Sequence, residues 1–450
     1  MRRYIGLIIG TMVLVLGMQA QVSTRILNPH IKTLKAELLA DANAIGGRIR
    51  VERPFLVLKD GIVDGSDEEN CLLISFDEMS HDVKMYSYRV QMMDCSASTK
   101  DGLMKWNENL LNSEYLQGFT TGDINDYEHS VNTTREYTHY RFRFPNEDMQ
   151  LTKSGYYRLS IYEDNNRDKV IGEVDFVVTE ALAQIVSSIR YDTQIETNGR
   201  FQQLEIETDV SALGVRDPNE YRIVVTQNNR TDNPVLLTQP TYIQGSRLRY
   251  VNKRELIFEG GNEYRHFDSY STYLAGTNID RIAFFNNDYH ALLMPDELHE
   301  SGEQYIHEFD ANGQYLVNAE RTNDPETEAE YMWVHWELPV KAPWLDGAVY
   351  VGGDLFENRM SSANRMEYDE AHRCYYLNAL VKQGGYDYQY WFVPKMPQVP
   401  STNGASPVTT QRTEGSYWQT ENEYAIYVYY RPFGARYDRL IGLQIQKSAL

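Results

Sequence analysis

Apolar and polar residues alternate with period two along most of the chain. In THYRFRF, Tyr140, Phe142 and Phe144 fall on one side and Arg141 and Arg143 on the other. In YYRLSIYE, Tyr157, Leu159 and Ile161 share a side, and EDNNRDK supplies a turn before VIGEVDFVV. QQLEIETDV, YRIVVTQN and EYAIYVYY repeat the theme. Successive side chains on a strand point to opposite faces, so these runs, punctuated by Asn, Asp and Gly, predict antiparallel strands. Their spacing of roughly 8–12 residues is that of sandwich folds. The expected class is all-β: tandem antiparallel β-sandwich (immunoglobulin-like) domains with few short helices. The best helical stretch is WNENLLNSEYL, where Trp106, Leu110 and Leu111 share a helical face and Asn107 or Asn109 is placed to cap it.

A chain of 450 residues is too long for one ordinary core. At its start, Arg2 and Arg3 precede an apolar run from Ile5 to Leu16 and then GMQAQ, the order of a secretory signal peptide, predicted as residues 1–20. The run is short for a membrane span, no Cys follows it for a lipid anchor, and no other segment reaches ~18 uninterrupted apolar residues. The expectation is an exported chain without direct membrane insertion. Strand VDFVV closes a first unit (21–179), and EALAQIV leads into a second (180–318). The polar stretch ERTNDPETEAE precedes the aromatic strand of a third unit (319–450), carbohydrate-module-like in its strands and turns. Within it, VPKMPQVPSTNGASPV (393–408) reads as an exposed loop.

A formal net charge of −21 argues against nucleic acid or anionic lipid as the main partner, since either demands a basic face. Gly-rich phosphate loops, HExxH and GxSxG are absent from the sequence, which lowers the prior for an enzyme; neither catalytic residues, metal nor cofactor are expected. The most enzyme-like cluster is GGNEYRHFD, where His266 and Asp268 share one face and Glu263 and Arg265 the other. A His–Asp hydrogen bond would orient a general base, but with no nucleophile beside it the favoured reading is a strand with Glu263 paired to Arg265. DGIVDGSDEEN (60–70) has the carboxylates of a calcium site without its spacing, so a solvated acidic hairpin is favoured. Asn132 and Asn229 open glycosylation tripeptides. Trp333, Trp336, Trp344, Trp391 and Trp418 offer rings for sugar stacking, or fill a core, which the period-two pattern favours. Cys71, opening the strand CLLISF, and Cys95, closing YSYRVQMMDC, either pair in an oxidising compartment, leaving Cys374 over, or stay as buried thiols.

The end of the chain, EGSYWQTENEYAIYVYYRPFGARYDRLIG, sets a dense run of aromatics against three arginines. Tyr424, Ile426, Val428 and Tyr430 take one face of a strand and Ala425, Tyr427 and Tyr429 the other, so the strand is covered on both sides or docks one face. Arg431, Arg436 and Arg439 are placed to pair with Asp438 and acidic neighbours. Because Tyr and Arg are enriched at binding hot spots, Tyr427, Tyr429, Arg431, Arg436 and Arg439 are also the candidate partner contacts.

Several phrases occur in an order that resembles the type IX secretion system plug protein family: LISFDEM, YLQGFTTGDINDYEHSVNTTREYTHYRFRFPNED, SGYYRLSIYED, VTQNNRTDN, GGNEYRHFD, NRMEYDEA, LVKQGGYDYQYWF and YWQTENEYAIYVYYRPFGARYDRLIG. The resemblance runs from about Ile31 to Ile445. One departure is MMDCSAS around Cys95, where the family pattern has a His before and an acidic residue and Trp after. The resemblance implies a periplasmic, non-enzymatic β protein. Its implied partner is the giant outer-membrane β-barrel translocon, whose periplasmic opening such proteins close. The rival expectation is an exported glycan-binding sandwich protein.

Overall fold

The alternating runs become strands whose apolar faces meet in three two-sheet sandwiches. The computed structural model describes residues 22–42, 54–98, 104–197, 199–299, 304–395 and 408–448. The predicted signal peptide and most of the 393–408 loop lie outside these residues.

In the first sandwich, one sheet runs in the order Ser23–Ile26, Val170–Thr179, Gly155–Glu163, Tyr86–Ser98, Met104–Trp106. The facing sheet runs Ile31–Leu38, Leu72–Glu78, Thr138–Phe144, Asp126–His129. Register places Tyr140 opposite Phe76 and Phe142 opposite Ile74, so one face of both strands enters the core. Phe76 and Tyr140 stack at 5.2 Å, while Arg141 turns outward to Asp126 and Glu128 on the neighbouring edge strand. Period two here sorts core from solvent as predicted.

The other two sandwiches are not contiguous in sequence. The second pairs Gln184–Arg190, Phe201–Asp209, Arg247–Tyr250 and Tyr242–Gln244 in one sheet. Its other sheet is Val235–Leu237, Tyr221–Gln227, Glu423–Tyr430, Arg439–Lys447, so the chain's last two strands complete the middle unit. The third has the order Ile279–Phe285, Asp288–Leu293, Tyr331–Pro339, Cys374–Lys382, Glu367–Asp369. It faces Gly384–Pro394 and its partners Arg265–Asp268, Tyr315–Val317 and Gly347–Gly352. The sheets thus cross the expected 318/319 boundary in both directions: strands from 265 onward belong to the third unit, and 423–447 to the second. Local periodicity identifies a strand but carries no information about which distant strand pairs with it.

The stretch 106–116 is not a helix. Met104–Trp106 ends a strand, Asn107 Oδ1 accepts the Asn109 N–H at 2.9 Å, and only Asn112–Glu114 makes a 3₁₀ turn. The Asn107 and Glu114 side chains accept the Asn109 and Leu111 N–H groups here in place of a helical ladder, leaving Leu110 buried but Leu111 exposed. Helix is confined among the described residues to two four-residue turns and short 3₁₀ pieces.

Candidate interaction surface

Glu423–Tyr430 is covered on both faces. Tyr424, Ile426, Val428 and Tyr430 lie in the middle core with Tyr221, Ile223 and Phe258. Ala425, Tyr427 and Tyr429 pack with Val224 and Leu440 against Met93, Tyr156 and Val177 of the first sandwich. The face expected to dock therefore docks onto the protein's own first unit. The arginines follow it there. Arg431 Nη1 lies 3.2 Å from Asp94 Oδ1 and 3.4 Å from Asp438 Oδ2. Arg436 pairs with Glu114 and donates to the Asn109 carbonyl at 3.0 Å. Arg439 grips the Glu180 carboxylate with Nε at 2.9 Å and Nη2 at 2.6 Å, and it holds that carboxyl below its ordinary range against the opposing effect of burial. Gly155, at φ +143°, lets the backbones close up: a Cβ there would lie 3.2 Å from the Asp438 carbonyl. Of the five candidate contacts, Tyr427 and Tyr429 are buried and the three arginines are engaged within the chain.

A second junction, between the first and third sandwiches, is ionic and was not foreseen. Lys382 Nζ is 2.6 Å from Asp77 Oδ2. Asp77 Oδ1 meets His139 Nδ1 at 2.7 Å, and the Tyr331 hydroxyl donates to Oδ2 at 2.7 Å. Lys382 also donates to the Glu326 carbonyl at 2.6 Å and sits 4.3 Å over the Tyr137 ring. Asp77, His139 and Lys382 are 0%, 3% and 1% exposed. Burial resists the charge on Asp77, but Lys382 and His139 overcome it and hold the carboxyl below its ordinary range. Beside it, burial likewise opposes ionisation of Glu326, yet Lys35, Lys382 and His139 bring it down to about 2; Lys35 Nζ lies 2.6 Å from it. Further out, Arg135 clasps Asp288 with two contacts of 2.6 Å. Asp77 follows Phe76 on its strand and so takes the face away from the core; only the third sandwich, through Tyr331 and Lys382, makes that side interior.

The enzyme-like cluster comes apart. His266 Nδ1 bonds Asp387 at 2.7 Å, not Asp268, and this partner raises the imidazole pKa. Asp268 accepts the Thr277 N–H. Arg265 pairs with Glu414 and Asp296 instead of Glu263, and Glu263 is bonded to the Tyr305 hydroxyl and, at 3.1 Å, the Glu421 N–H. Trp336 and Trp391 are fully buried, and Trp333, Trp344 and Trp418 are half-buried, so the five do not form an exposed platform. In the acidic hairpin, Asp67 pairs with Lys59 and caps Glu68–Asn70. Cys71 and Cys374 are free, buried thiols, so the Cys71–Cys95 pairing is not made; the Cys71 Sγ lies 3.4 Å from the Pro145 carbonyl instead. Asn132 is exposed, whereas Asn229 is buried and donates to the Val22 carbonyl.

Three sandwiches joined through buried tyrosines and buried ion pairs define a multidomain β protein whose prominent clusters hold the domains together. A family model described as "Type 9 secretion system plug protein 1st domain" matches residues 62–180. A crystal structure of a hypothetical protein from Parabacteroides merdae is similar at 34% identity, with a TM-score of 0.83, over 96% of this chain and 100% of that one. The chain belongs to the type 9 secretion system plug protein family. A Corynebacterium diphtheriae protein aligns at 8% identity and a TM-score of 0.13, too low to carry an argument. No curated protein matches. Among the described residues, no helix is long and apolar enough to cross a membrane.

Proposed function

We propose that the protein closes the periplasmic mouth of the outer-membrane β-barrel translocon of the type IX secretion system as a non-enzymatic body. The observation that carries this reading is the family match over residues 62–180, together with the full-length likeness to the Parabacteroides merdae protein. A barrel wide enough for folded cargo leaks when idle, so an occluding body must be large and hold its shape. The apolar junction at Tyr427 and the ionic junction at Lys382 support that requirement by binding the first sandwich to both others. Because Tyr427 and Tyr429 are buried between sandwiches, the part of the terminal hairpin most open to a partner is its turn, where Phe433 is fully exposed. The test is to solubilise outer membranes gently and purify the tagged protein. Stoichiometric recovery of a heat-modifiable barrel supports the reading. Recovery of the protein alone, even with secretion blocked and cargo absent, overturns it.

A further inference from the structure

The hairpin Ile279–Phe285/Asp288–Leu293 forms the edge of the third sandwich, and Ile279–Phe285 pairs on one side only. Four other sheet edges among the described residues are guarded. Asp126–His129 is short and carries Asp126 and Glu128 against Arg141. Tyr242–Gln244 and Glu367–Asp369 are three residues long. Arg439–Lys447 is partly covered, its Ile441 carbonyl accepting the Leu182 and Ala183 N–H groups. By contrast, Ile279–Phe285 is seven residues long, and its stretch from Ile282 to Phe285 has neither a charge nor a proline. Phe284 and Phe285 are 56% and 47% exposed, and Phe284 leans on Tyr289 at 4.8 Å. Such an edge is a template for another strand.

The hairpin geometry specifies which strand fits. Asn286 and Asn287, at φ +53° and +66°, make a two-residue turn, so the flanking Phe285 and Asp288 exchange both of their hydrogen bonds. Alternate residues Ile282 and Phe284 therefore turn their N–H and C=O groups outward. We propose that this edge joins the same edge of a second copy, antiparallel, about a two-fold axis through Ala283. That register sets the outward groups of Ile282 against those of Phe284 in the other copy, reciprocally, as a two-fold requires. It also brings Arg281 opposite the exposed Phe285 ring, a cation–π pairing repeated on both sides of the axis. Ala283 meets its own equivalent, where a small side chain suits a close, non-hydrogen-bonded pair. Apolar with apolar and cation with ring, the strand is complementary to itself. The opposing term is the charge of −21 on each copy, which salt screens.

The proposal stands apart from barrel closure and is tested on the purified protein. Sedimentation velocity is expected to show a monomer–dimer equilibrium that shifts toward dimer as salt rises. Phe284→Lys is expected to leave only monomer, while Phe309→Lys, at an exposed ring elsewhere, keeps the dimer. Ala283→Cys is expected to form a covalent dimer on mild oxidation at least tenfold faster than Leu345→Cys at another exposed site. A strictly monomeric protein at every concentration and salt overturns the proposal. So does a dimer that survives Phe284→Lys, or crosslinking of Ala283→Cys no faster than the Leu345→Cys control.

Discussion

Lys382 and Asp77 lie 305 residues apart in the chain and 2.6 Å apart in the fold, each sealed from solvent. The pair joins the first sandwich to the third. Its two charges are kept in the interior by each other, His139, Tyr331, the Glu326 carbonyl and the Tyr137 ring. A buried pair of this kind is costly to break because the survivor is left charged and unsolvated.

Lys382→Met is accordingly expected to lower the unfolding free energy by about 3–5 kcal/mol, measured by urea denaturation. Combining it with Asp77→Leu, which removes the stranded carboxylate, is expected to recover a large part of that loss. A double variant no better than the single one would refute the stranded-charge account.

Tyr427→Ala opens a cavity between the first and middle sandwiches and is expected to cost about 3–5 kcal/mol. Arg439→Ala should cost less, and Arg436→Ala, on an exposed pair, should not change stability measurably. The ranking is checked by thermal melts of the three variants side by side. Limited proteolysis should show the Tyr427 variant cut first near residues 180–183, where the units join.

Two carboxyls give opposite pH signatures. Glu326, depressed to about 2 from 4.5, contributes stability that is present above pH 4.5 and lost as pH falls toward 2. Asp310 is half-buried, and the loss of solvent around its carboxyl raises its pKa from 3.8 to about 7. Its folded form holds a proton that its unfolded form gives up, so its contribution favours folding below pH 3.8 and declines as pH rises to 7. Asp310→Asn is expected to flatten the pH 4–7 part of a stability profile, and Glu326→Gln the part below 4.5. Unchanged slopes in the two variants would dissociate these residues from the profile.

Burial pushes the Cys71 thiol up to about 11, and thiolate is the reactive form. Iodoacetamide at pH 8 is expected to leave the Cys71 peptide unmodified in the native protein and to alkylate it fully in urea. Peptide mass mapping distinguishes the two states.

Much of this architecture was legible because strand periodicity is a local property. Thr138–Phe144, Gly155–Glu163 and Glu423–Tyr430 were readable as strands from their alternation alone, and the two-faced apolar pattern of the last announced a strand covered on both sides. What covers it was not legible, since Tyr427 meets Tyr156 and Val177 through a fold-level return of the chain. The same limit misassigned the polar partners. Nearness in sequence suggested Glu263 with Arg265 and His266 with Asp268, whereas Arg265 found Glu414 and His266 found Asp387. Residues close in sequence on one strand face still compete with every group that a neighbouring strand or sheet brings closer. Lys382 and Asp77 carried no sequence signal, because each occupies an outward position that becomes interior only when two sandwiches meet.

The late return of residues 423–447 sets an order of events for a chain that emerges from its N-terminus. The first sandwich has all its strands by Thr179. The middle one must wait, with Val235–Leu237 and Tyr221–Gln227 as half of an unfinished sheet, while the whole third unit is made. Only the final hairpin closes it and, with the same strands, covers the outer face of the first sandwich. A chain that stops short of Glu423 leaves two apolar faces open at once, so incomplete copies are marked for chaperones and proteases by the very surface that completion hides.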